Sequence, residues 1–265
     1  MHALKLRCRA GEKDWISAEL WSLGTEGITE IDQPDGSIVL EAFFADRIDT
    51  REFRLFEPEW IEHGEQDWAE AWKQKWEPLL VGRRWFLVPD WRDDPAPARR
   101  LRLVVHARQA SGSGYQPATQ LALEAIEEFV HPKDRFLDWG CGSGILSSAA
   151  HLLHAAEVVA CDVDPDAAWE ARANFESRGV PALLFVGSGR ALRGGHFDVV
   201  AANMNAAAIL SCHEDLVRVA RIGGRLILSG FKERRSGSLR AAFQKAGLRM
   251  VREYRQEDWR CLVLS

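Results

Sequence analysis

Leu137-Asp138-Trp139-Gly140-Cys141-Gly142-Ser143-Gly144-Ile145 is an apolar run that dissolves into alternating glycines and then resumes as a helical pattern. The run Phe136 to Asp138 reads as a strand and the helix begins at Ile145. Glycines in such a turn reach positive φ and let a ligand touch the backbone, while the helix start offers free N–H groups. The next strand, Val158 to Asp162, ends in Asp162-Val163-Asp164-Pro165, which puts the Asp162 carboxylate where ribose hydroxyls would lie. The spacing is Gly-x-Gly-x-Gly, not the Gly-x-Gly-x-x-Gly of dinucleotide sites. Asp138 stands where a dinucleotide would place its pyrophosphate, and two anions there repel. S-adenosylmethionine has no phosphate and carries an ammonium and a sulfonium, so it is the expected cofactor. The readings it displaces are a nicotinamide or flavin cofactor and a purely structural glycine turn.

Working outward, strand and helix alternate to the end of the chain. Strands are expected at Leu183 to Val186, Asp198 to Ala202, Arg225 to Ser229, Leu248 to Tyr254 and Arg260 to Leu264, with a helix from Asp166. The pattern predicts an α/β fold, a seven-stranded Rossmann-like sheet covered on both faces, whose last two strands form a hairpin. After the fourth strand comes Ala201-Ala202-Asn203-Met204-Asn205-Ala206, at the carboxyl edge of the sheet. An amide at Asn203 can accept from an amine; its structural alternative is a cap for the helix starting near Ala206.

The front of the chain has another character. Eight of the eleven tryptophans fall by position 91, and residues 1–90 carry 19 acidic and 11 basic side chains (−8), against 20 and 23 (+3) in the rest. Leu4 to Arg9, Asp14 to Leu23, Gly27 to Asp32 and Ser37 to Phe44 read as β-α-β-β, the start of a small ferredoxin-like α+β domain. Little room remains for its second helix between Ala45 and Trp60. Trp68, Trp72 and Trp76 share one face of a helix expected over Gln66 to Trp76, packed against a domain. The expected organisation is a substrate-recognition domain over 1–60, a linker helix over 61–80 and a catalytic domain over 81–265. The acidic front argues against direct nucleic-acid reading and suits a basic protein partner, although plain solubility explains it too.

With 46% apolar and 28% charged residues the chain is an ordinary globular one, which excludes disorder as its main state. No stretch has the eighteen uncharged apolar residues of a membrane span, and the expected location is the cytoplasm. Cys8, Cys141, Cys161, Cys212 and Cys261 are scattered, without a Cys-x-x-Cys pair, and are expected as thiols. His151 and His154 lack the spacing of a zinc helix and read as helix surface.

These residues resemble the ribosomal protein L11 methyltransferase (PrmA) family of class I adenosylmethionine-dependent enzymes. The resemblance runs through Asp67-Trp-Ala-Glu-Ala-Trp72-Lys, Val88-Pro-Asp-Trp91, Asp138 to Leu146, Asp162-Val-Asp-Pro165, Phe197 to Asn203, Ser229-Gly230 and Glu257-Asp-Trp259. It implies methyl transfer to lysine side chains or an N-terminal amine of a protein, by default a large-subunit ribosomal protein. It also implies cofactor contacts from Thr119, Gly140, Asp162 and Asn203, with Asn203 near the acceptor amine. The full set expected at the cofactor is Thr119, Asp138, Gly140, Gly142, Gly144, Asp162, Ser188 and Asn203, with Asn203 as catalytic residue and no metal. One stretch departs from the family. Where members read Asp-Pro-Gly-x-Ala-Phe-Gly-Thr-Gly-x-His-x-Thr-Thr, this chain reads His106 to Thr119 with Ser111, Gln116 and Ala118 in place of phenylalanine, histidine and threonine. That change keeps three alternatives open: another protein lysine, a small amine, or a scaffold that has lost catalysis. Tyr115 is expected as an aromatic wall or hydroxyl of the site, or as a loop residue packed on the linker.

Overall fold

The structure, a computed structural model, describes residues 2–25, 27–33, 35–62, 76–105 and 114–265. The tryptophan helix at Gln66 to Trp76, apart from Trp76 itself, and the 106–113 part of the altered loop, with Ser111, lie outside the described residues. The chain divides into two compact units, Met1–Trp76 and Glu77–Ser265.

In the first unit β1 (His2–Cys8), α1 (Ala10–Ser22), β2 (Gly27–Asp32), β3 (Ile38–Phe44) and β4 (Glu59–Glu62) build a four-stranded antiparallel sheet in the order β2-β3-β1-β4. This is the ferredoxin-like arrangement. Period-2 alternation turns Leu4, Leu6 and Cys8 of β1 to one face, where Ile16 and Leu20 of α1 meet them. A 3-10 turn, Arg51–Phe56, stands where a second helix would, and its Phe53 is fully buried in the same core. The hairpin between β2 and β3 is held by Asp35, whose carboxylate accepts from the N–H and hydroxyl of Ser37.

The second unit opens with a three-stranded sheet of β5 (Leu79–Val81), β6 (Trp85–Pro89) and β7 (Leu101–Val105); the runs Arg84 to Val88 and Arg100 to His106 read as strands in the sequence, and β5 does not. β6 and β7 pair in parallel, and β5 pairs antiparallel with β6. Next come α2 (Pro117–Phe129), β8 (Arg135–Trp139), α3 (Ile145–Leu152), β9 (Glu157–Asp162), α4 (Pro165–Arg178), β10 (Leu183–Val186) and β11 (Phe197–Asn203). The chain ends with α5 (Ala206–Ser211), α6 (His213–Val219), β12 (Ala220–Lys232), α7 (Glu233–Lys245), β13 (Met250–Gln256) and β14 (Trp259–Leu264). The large sheet has the order β10-β9-β8-β11-β12-β14-β13. β8 to β12 are parallel, and β14 enters antiparallel between β12 and β13, so the terminal hairpin forms as expected.

Successive residues of β8 face opposite layers. Phe136 joins the core under α2 and α3, whereas Leu137 and Trp139 join the core under α5, α6 and α7. Trp85, fully buried, donates its indole N–H to the Leu123 carbonyl at 2.8 Å and so ties β6 to α2. Each buried aromatic of this kind withholds on the order of 150–250 Å² from water. The strand order reverses beside β8, which has β9 on one side and β11 on the other. In open α/β sheets a crevice opens at that point, outside the carboxyl ends of the strands. Among the described residues no helix is long and apolar enough to cross a membrane.

Candidate active site

The glycine bend follows β8 into this crevice. Gly140 has φ of 73° and Gly144 of 76°, a conformation that L side chains enter only at a cost. Close approach adds to the requirement: a Cβ on Gly140 would lie 2.6 Å from the Met204 sulfur, and one on Gly144 would lie 2.5 Å from the Phe175 ring. Gly144 is also the residue from which α3 starts.

Asp138 is 1% exposed, and one of its oxygens accepts from both the N–H (3.0 Å) and the hydroxyl (2.7 Å) of Ser147. It thereby locks β8 to the first turn of α3. Burial pushes its carboxyl up to about 7; the two Ser147 bonds oppose the shift and the charge of Asp162 adds to it. Asp162, the last residue of β9, accepts from Gly142 N–H at 2.9 Å through one oxygen and from Asp164 N–H at 3.0 Å through the other. Asp164 in turn caps α4 by accepting from Asp166 N–H. Val163, next to Asp162, is 70% exposed, an apolar surface left beside a carboxylate.

On the opposite side of the crevice, β11 ends at Asn203 and pairs there with Ser229 of β12. Asn203 donates through Nδ2 to Thr119 Oγ1 at 3.1 Å, and Ser229 donates to the Ala118 carbonyl at 2.7 Å. Two sheet strands thus grip the first turn of α2, with Thr119 fully buried. The capping alternative for Asn203 is not what forms: α5 is capped by Asn205, whose side chain accepts from Ala208 N–H at 2.9 Å.

A cavity of about 250 Å³ lies between these two sides. Of the residues expected at the cofactor, Asp138, Gly140, Gly142 and Asn203 line it. Thr119 stands behind Asn203, Gly144 sits at the start of α3, and Asp162 reaches the wall through its bond to Gly142. Ser188 is not among the residues that line the cavity: it accepts from Arg190 N–H and starts a 3-10 turn whose Gly189 lies against the Trp139 ring, while the neighbouring Gly187 N–H donates to the Asp162 carbonyl at 2.7 Å. Gln116, Met204, Gly230 and Trp259 also line the cavity, although sequence reasoning gave none of them a cofactor role. Gly230 and Trp259 fall within stretches that resemble the family and Gln116 within the stretch that departs from it; Gly230 has φ of 93°, and a Cβ there would lie 2.4 Å from the Met204 carbonyl oxygen. Tyr115 takes a structural place, donating its hydroxyl to the Glu77 carbonyl at 2.7 Å, and burial pushes its phenol up to about 12.

The strand order, the switch point and the glycine bend define the fold of class I adenosylmethionine-dependent methyltransferases. Within that class the chain belongs to the ribosomal protein L11 methyltransferase (PrmA) family, whose model matches residues 10–265. It is 39% identical over 200 residues to the ribosomal protein L11 methyltransferase of Geobacter sulfurreducens, covering 75% of this chain and 66% of that one. It is 36% identical over 202 residues to the Exiguobacterium protein of the same name, covering 75% and 64%. The match therefore spans just under two thirds of these relatives. Among solved structures, the ribosomal protein L11 methylase of Lactobacillus delbrueckii subsp. bulgaricus superposes with a TM-score of 0.66 at 25% identity, covering 72% of this chain and 97% of that one.

Proposed function

We propose that this chain transfers a methyl group from S-adenosylmethionine to an amine, a lysine side chain or an N-terminus, of a ribosomal protein, with the L11 protein as first substrate. The observation that carries the reading is Asp138: a buried carboxylate with a raised pKa, lining a cavity at the switch point, favours a cationic ligand and disfavours a pyrophosphate. Asp162 keeps acceptor lone pairs beyond its two backbone bonds, which suits ribose hydroxyls, and the exposed Val163 suits an apolar ring. These residues fit the cofactor, which when bound supplies a methyl group already activated on a sulfonium.

The protein's own work is positioning. Thr119 holds the Asn203 amide by its Nδ2, leaving Oδ1 to accept from the acceptor amine at the cavity wall. The amine must shed its proton before it can attack, and an acceptor that hydrogen-bonds the neutral amine keeps its lone pair aligned. The acidic balance of residues 1–90 raises the encounter rate with a basic protein, which is the partner we expect. In the test, purified chain is incubated with methyl-labelled cofactor and L11 ribosomal protein. Incorporation into that protein is expected; none, with cofactor binding intact, removes the substrate.

A further inference from the structure

A second cavity, of about 390 Å³, lies against the first and shares Asn205, Gly230 and Trp259 with it. One wall is apolar, with Ala206, Ala207 and Leu210 of α5 and Phe231 of β12; the other carries Lys232, Arg234 and Arg235. Their charges are poorly answered. Glu233, in the same turn, is taken by Arg260 at 2.6 Å. Lys232 lies 3.9 Å from Asp258 and over the Trp259 ring. Among the described residues neither Arg234 nor Arg235 has a carboxylate partner. Cations in the first turn of α7 also face the positive end of its dipole, a placement that disfavours them. An anion in the cavity relieves both the mutual repulsion and the dipole.

We infer that this cavity holds a carboxylate side chain of the acceptor polypeptide, so that the enzyme selects amines with an aspartate or glutamate nearby in the chain. The inference rests on the methyl-transfer reading above and adds a sequence preference to it. The apolar wall accommodates the methylene stem of a glutamate, and the planar forks of two arginines match a carboxylate. A nucleic-acid strand would use open aromatic faces for stacking, whereas Lys232 sits over one face of the Trp259 ring, 5.6 Å from its centroid. Recognition is therefore split: the substrate's overall charge is read elsewhere, and a local acid is read beside the reacting amine.

The test measures binding of fluorescent lysine peptides to the full chain saturated with S-adenosylhomocysteine. One set carries glutamate one to four residues from the lysine, and the other carries glutamine there. At least one glutamate peptide should bind about tenfold tighter than its glutamine partner, the gain expected of a charge-assisted contact. The double variant Arg234→Glu, Arg235→Glu should erase or reverse that preference, and Arg234→Gln, Arg235→Gln should erase it, with cofactor affinity by calorimetry unchanged in both. Equal binding of the two sets, or a preference that survives both variants, overturns the inference. A polyuridylate oligonucleotide that loses affinity in the variants while the peptides do not assigns the cavity to RNA and overturns it too. Because this readout needs no turnover, a failure to methylate L11 protein sinks the proposed substrate without imitating either result.

Discussion

Asn203 and Thr119 are 84 residues apart in the chain and 3.1 Å apart in the structure, joined by a hydrogen bond from the Asn203 amide to the Thr119 hydroxyl. The bond fixes which end of the amide is spent on the protein and which is left for a ligand. Thr119→Val should therefore lower kcat by roughly tenfold through misorientation while leaving cofactor affinity nearly unchanged. Asn203→Ala, which removes the acceptor itself, should cost about a hundredfold or more. Thr119→Val also leaves a donor without its partner and should destabilise the fold by about 1–3 kcal/mol. Steady-state kinetics beside calorimetry of cofactor binding separates these effects; a Thr119→Val enzyme with full kcat means the bond is packing alone.

Asp138 ties pH to both stability and binding. Its carboxyl is raised from the ordinary 3.8 to about 7 in the folded protein, chiefly by burial. Between those values the folded state holds one proton more than the unfolded chain. Stability from this group is thus full below about pH 4 and declines as pH climbs toward about 7. Asp138→Asn abolishes the decline, so its Tm relative to the parent should rise between about pH 4 and about pH 7 and level off above. A cationic ligand acts in the opposite sense, drawing the pKa down and expelling the proton. Cofactor binding near pH 7 should release protons, visible by calorimetry in buffers of different protonation enthalpy, and affinity should increase with pH over the same window. Proton uptake in place of release would contradict the assignment of Asp138 to the ligand's cation.

The catalytic sheet was legible because local chemistry and topology agree there. Gly140 and Gly144 need positive φ, and Asp138 and Asp162 end adjacent parallel strands, so the corner announces itself over some twenty-five residues. Long-range features left no comparable trace. Trp259 reaches the cavity only because β14 turns back antiparallel beside β12, a pairing that no periodicity encodes. Leu79–Val81 is too short to show alternation, which hid the third strand of the small sheet although the runs that form β6 and β7 were legible. Ser188 follows a strand end, where its loop bonds to Asp162 through Gly187 and then forms a 3-10 turn, outside the residues that line the cavity. Asn203 carried a helix cap as its structural alternative because Asn205, two residues on, has the same amide and does that work.

Gly230 gives a steric test of the reacting side. A methyl group there would sit 2.4 Å from the Met204 carbonyl oxygen and 2.7 Å from its backbone nitrogen, and backbone cannot swing aside as a side chain does. Gly230→Ala should push the end of β12 away from the loop after β11 and cost about 2–4 kcal/mol of stability, combining strain at φ of 93° with the overlap. Gly142→Ala, also at positive φ but with open space around its Cβ, should cost only about 1–2 kcal/mol. Denaturant midpoints of the two variants compare them directly, and equal losses would mean that backbone strain alone, not the loop contact, sets the requirement at Gly230.

Asp162 is the remaining anchor, and its two backbone bonds make its removal more than the loss of a ligand contact. With Asp162→Ala, Gly142 N–H and Asp164 N–H lose their acceptor, so the bend loosens before any cofactor arrives. Cofactor affinity should fall by about 1–3 kcal/mol from unpaired hydrogen bonds. Asp162→Asn retains one carbonyl oxygen as acceptor but offers an amide in place of the second, so it should preserve the Gly142 bond at the expense of the Asp164 bond. Its stability should then lie near the parent's while its affinity drops almost as far as the alanine variant's. The comparison divides scaffold from ligand: if Asp162→Asn binds cofactor as tightly as the parent, the carboxylate serves the bend and the ribose hydroxyls are held by other groups.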